Sequence, residues 1–123
     1  MDFPWPMSDR DFVTYSQFKQ DEKTGKIISQ SIASPEYIPT KNGMVRIELL
    51  KIRWELTPLL DGTVQTEYFL LSDPGGSIPD WAINLALDYG PIQSMQKFKA
   101  LVKDQRYQTA SLNFVKDFNT GRR

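Results

Sequence analysis

The chain has 123 residues, with 15 Lys plus Arg against 15 Asp plus Glu and a formal net charge of zero. That length supports one domain with a single core, and the neutral balance leaves no electrostatic footprint for nucleic acid or an anionic membrane. Cysteine and histidine are both absent, which removes disulfides, thiolate nucleophiles, the Ser-His-Asp triad and the usual zinc ligands together. No metal and no cofactor is expected, because no Asp-rich loop has calcium-site spacing either. No run reaches the ~18–20 apolar residues of a membrane span, and Asp2, Asp9 and Asp11 break a signal-peptide pattern. Stable membrane insertion is not expected, and a cytoplasmic location is.

Residues 3–13, Phe-Pro-Trp-Pro-Met-Ser-Asp-Arg-Asp-Phe-Val, form a stiff, extended lead into a strand, since Pro4 and Pro6 fix φ and disfavour helix. Residues 12–19 read as that strand, with Phe12, Val13, Tyr15 and Phe18 as its β-formers. A polar turn over 20–25 ends at Gly25, which is able to take positive φ, and residues 26–33 return. Residues 34–43 carry Pro35, Pro39 and Asn42-Gly43 and form a loop long enough to suggest a functional role.

Over 44–59 the apolar phase changes. Val45, Ile47 and Leu49 are odd, whereas Ile52, Trp54 and Leu56 are even. A phase change flips side chains to the other face, so two strands, or one strand with a bulge, are expected to meet near Leu50-Lys51. Asp61-Gly62 is a two-residue hairpin signal suited to a type I′ turn, and Val64–Leu71 is the next strand.

A helix follows Pro79, which sits at the N1 position, with Ser77 as its cap and Asp80 in its first turn. Trp81, Leu85, Ile92, Met95, Phe98 and Val102 recur at helical spacing. Pro91 is expected to kink or break this helix. In the tail, Leu112, Phe114, Val115 and Phe118 suit a short helix or strand, and residues 121–123 are expected to fray.

Several of these segments, in this order, closely resemble the START (StAR-related lipid-transfer) family. The opening stretch is similar to its PWP-x-SDRDFV signature, and Lys41-Asn42-Gly43-Met44-Val45-Arg46-Ile47-Glu48 to its K-x-G-x-VR-x-E block. Trp54–Leu59 resembles its W-x-x-x-PL strand. Thr66–Asp73 with Gly76-Ser77-Ile78-Pro79-Asp80-Trp81 resembles its last strand, turn and helix. The resemblance covers residues 3 to about 103. It implies an α+β helix-grip fold, an antiparallel curved sheet wrapped on a long C-terminal helix, as a domain over 1–103 with a tail over 104–123. It also implies binding, and intracellular transfer, of a lipid or other hydrophobic small molecule, without enzymatic activity.

Under that resemblance the hydrophobic cavity is lined by Val45, Ile47, Leu49, Trp54, Leu56, Phe69 and Leu71 from the strands and by Trp81, Leu85, Ile92 and Met95 from the helix. Ordinary core packing is the competing reading of the same positions. Arg46 and Glu48 are polar candidates for a head group, against a solvated strand face. Arg10 is a third, against a structural pair or turn anchor. The loop with Tyr37, Ile38, Pro39 and Gly43 resembles the family's gating omega loop. In the family the opening motif lies mid-domain, so an N-terminally truncated domain is expected here. A sterol-binding arginine of the family falls at Ser16, which puts a sterol ligand in doubt. Uncovered sheet is then completed by a second copy as a homodimer, which is the favoured outcome, or covered by the tail; otherwise no closed cavity forms. The other functional readings are an interaction module that binds no lipid and a cyclase-like enzyme.

Overall fold

The computed structural model describes residues 8–75 and 78–118. The opening Pro-Trp-Pro, Ser77 and residues 121–123, each singled out in the sequence, lie outside the described residues. The elements run β1 (Asp9–Asp11), β2 (Thr14–Gln20), β3 (Ile27–Ala33), β4 (Met44–Arg46), β5 (Leu49–Pro58), β6 (Val64–Asp73), α1 (Asp80–Leu101) and α2 (Gln105–Gln108). The architecture is α+β: β2-β3-β5-β6 form one curved antiparallel sheet, and α1 packs on β6.

The phase change at 44–59 has a structural cause. β4 leaves the main sheet and pairs in parallel with β1, Arg10 opposite Val45 and Asp11 opposite Arg46. The break falls at Ile47-Glu48, earlier than the expected Leu50-Lys51, because the Asp11 carbonyl accepts the Ile47 N–H at 2.9 Å and holds the chain to β1. Ile47 is fully buried there. With Leu50 and Ala82 it makes up the buried apolar core of the described residues.

The β5–β6 hairpin also differs from expectation. Its loop has three residues, Leu60, Asp61 and Gly62, between the pair Leu59 and Thr63, with the Leu59 N–H on the Thr63 carbonyl at 2.8 Å. Gly62 takes φ 88°, the left-handed position that closes a three-residue loop. A two-residue turn at Asp61-Gly62 would place Phe69 opposite Trp54. The observed register places Tyr68 there, and a shift of one residue turns every β6 side chain over.

α1 runs unbroken through Pro91. Proline removes one N–H and crowds the preceding turn, yet the helix continues because its neighbours on both sides hold helical geometry. Pro79 is the N-cap residue rather than N1, with no side-chain cap bond.

The tail folds back on the sheet. Phe114 meets Phe18 edge-on at 5.9 Å. The Gln20 amide donates to the Lys116 carbonyl at 2.9 Å and accepts the Lys116 N–H at 2.8 Å. Phe118 lies against Gly25, which is buried at φ 78°. A Cβ on Gly25 would meet the Phe118 ring at 2.4 Å. The left-handed backbone alone costs a non-glycine residue about 1–2 kcal/mol. Gly25→Ala is therefore expected to lower the melting temperature by at least about 5 °C, and adding Phe118→Ala to cost less than the sum of the two single changes. A Gly25→Ala protein that melts like wild type would show that the tail does not pack there.

Candidate functional site

Alternation along paired strands sets the chemistry of the sheet's inner face. Leu50, Ile52 and Trp54 of β5 lie opposite Ser72, Leu70 and Tyr68 of β6, and all six share the face that looks at α1. On the helix, Ile83, Leu87, Gly90 and Ser94 recur at steps of four, three and four and so form one stripe. Between the two surfaces is a cavity of about 290 Å³, lined mainly by apolar atoms of these elements and bounded by Phe12 and Pro74. One layer along, Trp54 packs on Tyr68 at 4.6 Å and on Phe98 at 5.0 Å between ring centres, an aromatic clamp that ties α1 to the sheet. The polar groups of the lining are few. Ser72 Oγ is buried with no hydrogen-bond partner, and the Tyr68 and Ser94 side chains complete the set.

The apolar residues expected from the sequence lie on the right elements but mostly in another phase. Trp54 and Leu56 are on the inner face, Trp54 in the clamp and Leu56 under the returning tail. Leu49, Phe69 and Leu71 stand on the outer face, where Arg53 lies 4.5 Å over the Phe69 ring. Val45 and Ile47 belong to the β4 region, Ile47 in the core. On α1, Trp81, Leu85 and Ile92 are 60%, 51% and 56% exposed, Met95 is half-buried, and none of the four lines the cavity. The helix carries two apolar stripes on opposite sides, and the sequence pattern favoured the outward one because it holds the larger residues.

The polar candidates sit elsewhere. Arg46 is 8% exposed, and all five of its N–H groups are engaged. Nε and Nη2 grip the Asp11 carboxylate at 2.8 and 3.0 Å, Nη1 donates to the Pro35 and Ile38 carbonyls at 2.9 and 2.8 Å, and Nη2 also donates to that of Pro39 at 3.0 Å. No donor remains for a head group, and the solvated-face reading of Arg46 is equally set aside. Arg10 is buried too; it donates to the Ser8, Pro74 and Gly75 carbonyls and so pins β1 to the end of β6. Glu48 is exposed at the break before β5. Of the loop residues, Tyr37, Ile38, Pro39 and Gly43 all point to solvent, while the backbone beneath Ile38 and Pro39 is held by Arg46. Among the described residues no group of three or more carboxylates is placed to hold a metal ion, and no helix is long and apolar enough to cross a membrane.

A family profile for the START domain matches residues 1–108. The chain belongs to the START domain family. Within it, the chain is 33% identical over 102 residues to an uncharacterized protein of Pseudomonas aeruginosa, covering 81% of this chain and 49% of that one. It is 34% identical over 94 residues to the phosphatidylcholine transfer protein of Bos taurus, covering 72% and 43%. The crystal structure of a STAR-related lipid transfer protein from Xanthomonas axonopodis superposes with a TM-score of 0.69 at 32% identity, covering 83% of this chain and 56% of that one. The chain thus spans about half the length of the curated relatives it matches, and the START-type sheet and C-terminal helix are the part it shares with them.

The Asp11–Arg46 pair carries a pH signature. The Arg46 hydrogen bonds hold the Asp11 carboxyl below its ordinary 3.8; partial burial opposes this, and the charges of Arg46 and Lys41 add to the lowering. A carboxyl whose folded pKa lies below its unfolded one stabilises the fold fully above the unfolded value, and that stabilisation is lost as pH falls through the folded value. Asp21, held by the Thr24 and Lys23 N–H groups, and Asp104, held by Arg106, are lowered as well and act in the same direction. Asp11→Asn is expected to destabilise the protein at neutral pH and to flatten, without abolishing, the fall of stability below about pH 4. Urea melts across pH 3–7 measure this, and an unchanged acid slope would remove the pair from the account.

Proposed function

We propose that this chain binds the hydrocarbon part of a lipid in the cleft between β5, β6 and α1. The observation that carries the reading is the apolar cavity of about 290 Å³, placed between sheet and helix in a chain that belongs to the START family. Relatives named for phosphatidylcholine transfer support the ligand class. The volume lies at the lower edge of the ~300–1,000 Å³ range of ligand sites, so the best-fitting ligand has a single acyl chain rather than two chains and a large head. Each buried CH₂ contributes roughly 0.8 kcal/mol. A ten-carbon chain then gains on the order of 8 kcal/mol before the entropic cost of association. The unpartnered Ser72 Oγ is the group we assign to the ligand's carbonyl or hydroxyl.

Binding and release are non-covalent, with no catalytic step, and we place them in the cytoplasm. The moving wall is α1. The loop over 34–43 is tied at three carbonyls to Arg46, whereas α1 rests on β6 and the Trp54 clamp.

Gly90 offers the direct test. It lines the cavity, and a Cβ built on it meets nothing within 4 Å. Gly90→Leu fills the site while improving helix propensity by about 1 kcal/mol. Delipidated wild type is expected to bind a fluorescent single-chain fatty acid saturably and a two-chain phospholipid more weakly. Gly90→Leu is expected to weaken fatty-acid binding by about tenfold or more while melting no lower than wild type. A cooperatively melting wild type with no saturable binding would overturn the reading.

A further inference from the structure

The outward stripe of α1 has a second periodicity. Positions 81, 85, 88, 92, 95, 99 and 102 are spaced four, three, four, three, four and three, the repeat of a coiled-coil seam. Trp81 opens it, and Leu85, Asp88, Ile92, Met95, Lys99 and Val102 follow. Trp81, Leu85, Ile92 and Val102 are each about half exposed or more. Gly90 faces the cavity instead, and Pro91 also falls outside the seam, so neither interrupts it. Asp88 and Lys99 are exposed, and no ion pair engages either among the described residues.

We infer that this stripe is the interface of an antiparallel homodimer, in which α1 of one protomer packs against α1 of its partner about a two-fold axis between Ile92 and Met95. Charge decides the occupant and the direction. In a parallel pair Asp88 would face the partner's Asp88, and Lys99 the partner's Lys99, which is repulsive in both layers. Reversing one helix about that axis puts Ile92 opposite the partner's Met95, Leu85 opposite the partner's Val102, and Asp88 opposite the partner's Lys99. The two-fold makes this ion pair twice. These are also the layers that an antiparallel seam uses, with left-handed packing near +20° between helices. A second copy of the chain supplies the apolar and the charged complement together. The inference goes beyond the lipid reading and does not depend on it, because the cavity lies on the opposite side of α1.

Charge exchange tests it. Wild type is expected to show a concentration-dependent monomer–dimer equilibrium in sedimentation. Asp88→Lys alone and Lys99→Asp alone, both on exposed positions, are expected to weaken the dimer by about tenfold or more with unchanged melting of the monomer. The double variant Asp88→Lys/Lys99→Asp is expected to recover it, and an equimolar mixture of the two single variants to form a heterodimer. Three results would overturn the inference. One is a wild type that stays monomeric at high concentration, including one that instead shows Trp81 fluorescence shifts on phosphatidylcholine vesicles. Another is a dimer unaffected by either single change, which is the parallel outcome, since each change there exchanges one like-charge layer for another. The third is a double variant as weak as the singles. Fatty-acid titration of the same variants keeps the two proposals separate, since wild-type affinity in a charge-swapped monomer leaves the lipid reading standing.

Discussion

The Arg46 guanidinium is the contact on which the other parts converge. It has five N–H groups, and each has an acceptor: two go to Asp11 and three to the loop over 34–43. Burying a cation without partners is costly, so this residue fixes the geometry around it. Asp11 is its register partner in the short parallel ladder of β1 and β4, and the loop carbonyls have no strand partner and are satisfied through it instead. The same ladder draws β4 out of the main sheet and places Ile47 in the core. It thereby aligns β5 so that Leu50, Ile52 and Trp54 face the helix. The cavity contains no part of Arg46, yet its sheet wall is oriented by it.

What was legible in the sequence divides along physical lines. Strand and helix existence came from local composition, and the phase change between Ile47 and Ile52 signalled two strands or a bulge, of which the structure has two strands with the break at Ile47-Glu48. Side-chain direction was less legible because it depends on long-range register. Tyr68-Phe69-Leu70-Leu71 is apolar on both faces, so alternation cannot choose between them. One residue in the loop after Pro58 decides whether Phe69 or Tyr68 meets Trp54, and Asp61-Gly62 is compatible with either loop length. Arg46 and Asp11 lie 35 positions apart, and only the parallel pairing makes them neighbours. The tail's return was legible as an apolar set, Leu112 to Phe118, but its target was not. Gly25 read as an ordinary turn glycine, although it also makes room for Phe118.

The helix shows the same limit at a different period. A helical projection of α1 has two apolar stripes nearly opposite one another. Ile83, Leu87, Gly90 and Ser94 are smaller and include a glycine and a serine, which makes them a poor core stripe and a suitable cavity wall. Trp81, Leu85 and Ile92 are larger and would be chosen as core by volume alone. Packing against β6 selects the smaller stripe. A wall that leaves space cannot be the best-packed one, which is why hydrophobic patterning did not pick out the residues that line this cavity.

Because one helix carries both stripes, its two faces are energetically linked. α1 is held on the sheet by the Trp54–Tyr68–Phe98 clamp, by contact with β6 and by the buried Ala82 at its N-terminal end. Any occupant of the cavity that shifts α1 shifts the outward stripe with it, and any partner seated on that stripe restrains the wall of the cavity. Linkage requires the two effects to be equal in free energy. A partner on the outward face that favours the closed helix would slow ligand exchange and tighten binding. One that favours a displaced helix would do the reverse. Moving the loop at 34–43 would require three carbonyls to leave Arg46, whereas a shift of α1 breaks none of those bonds.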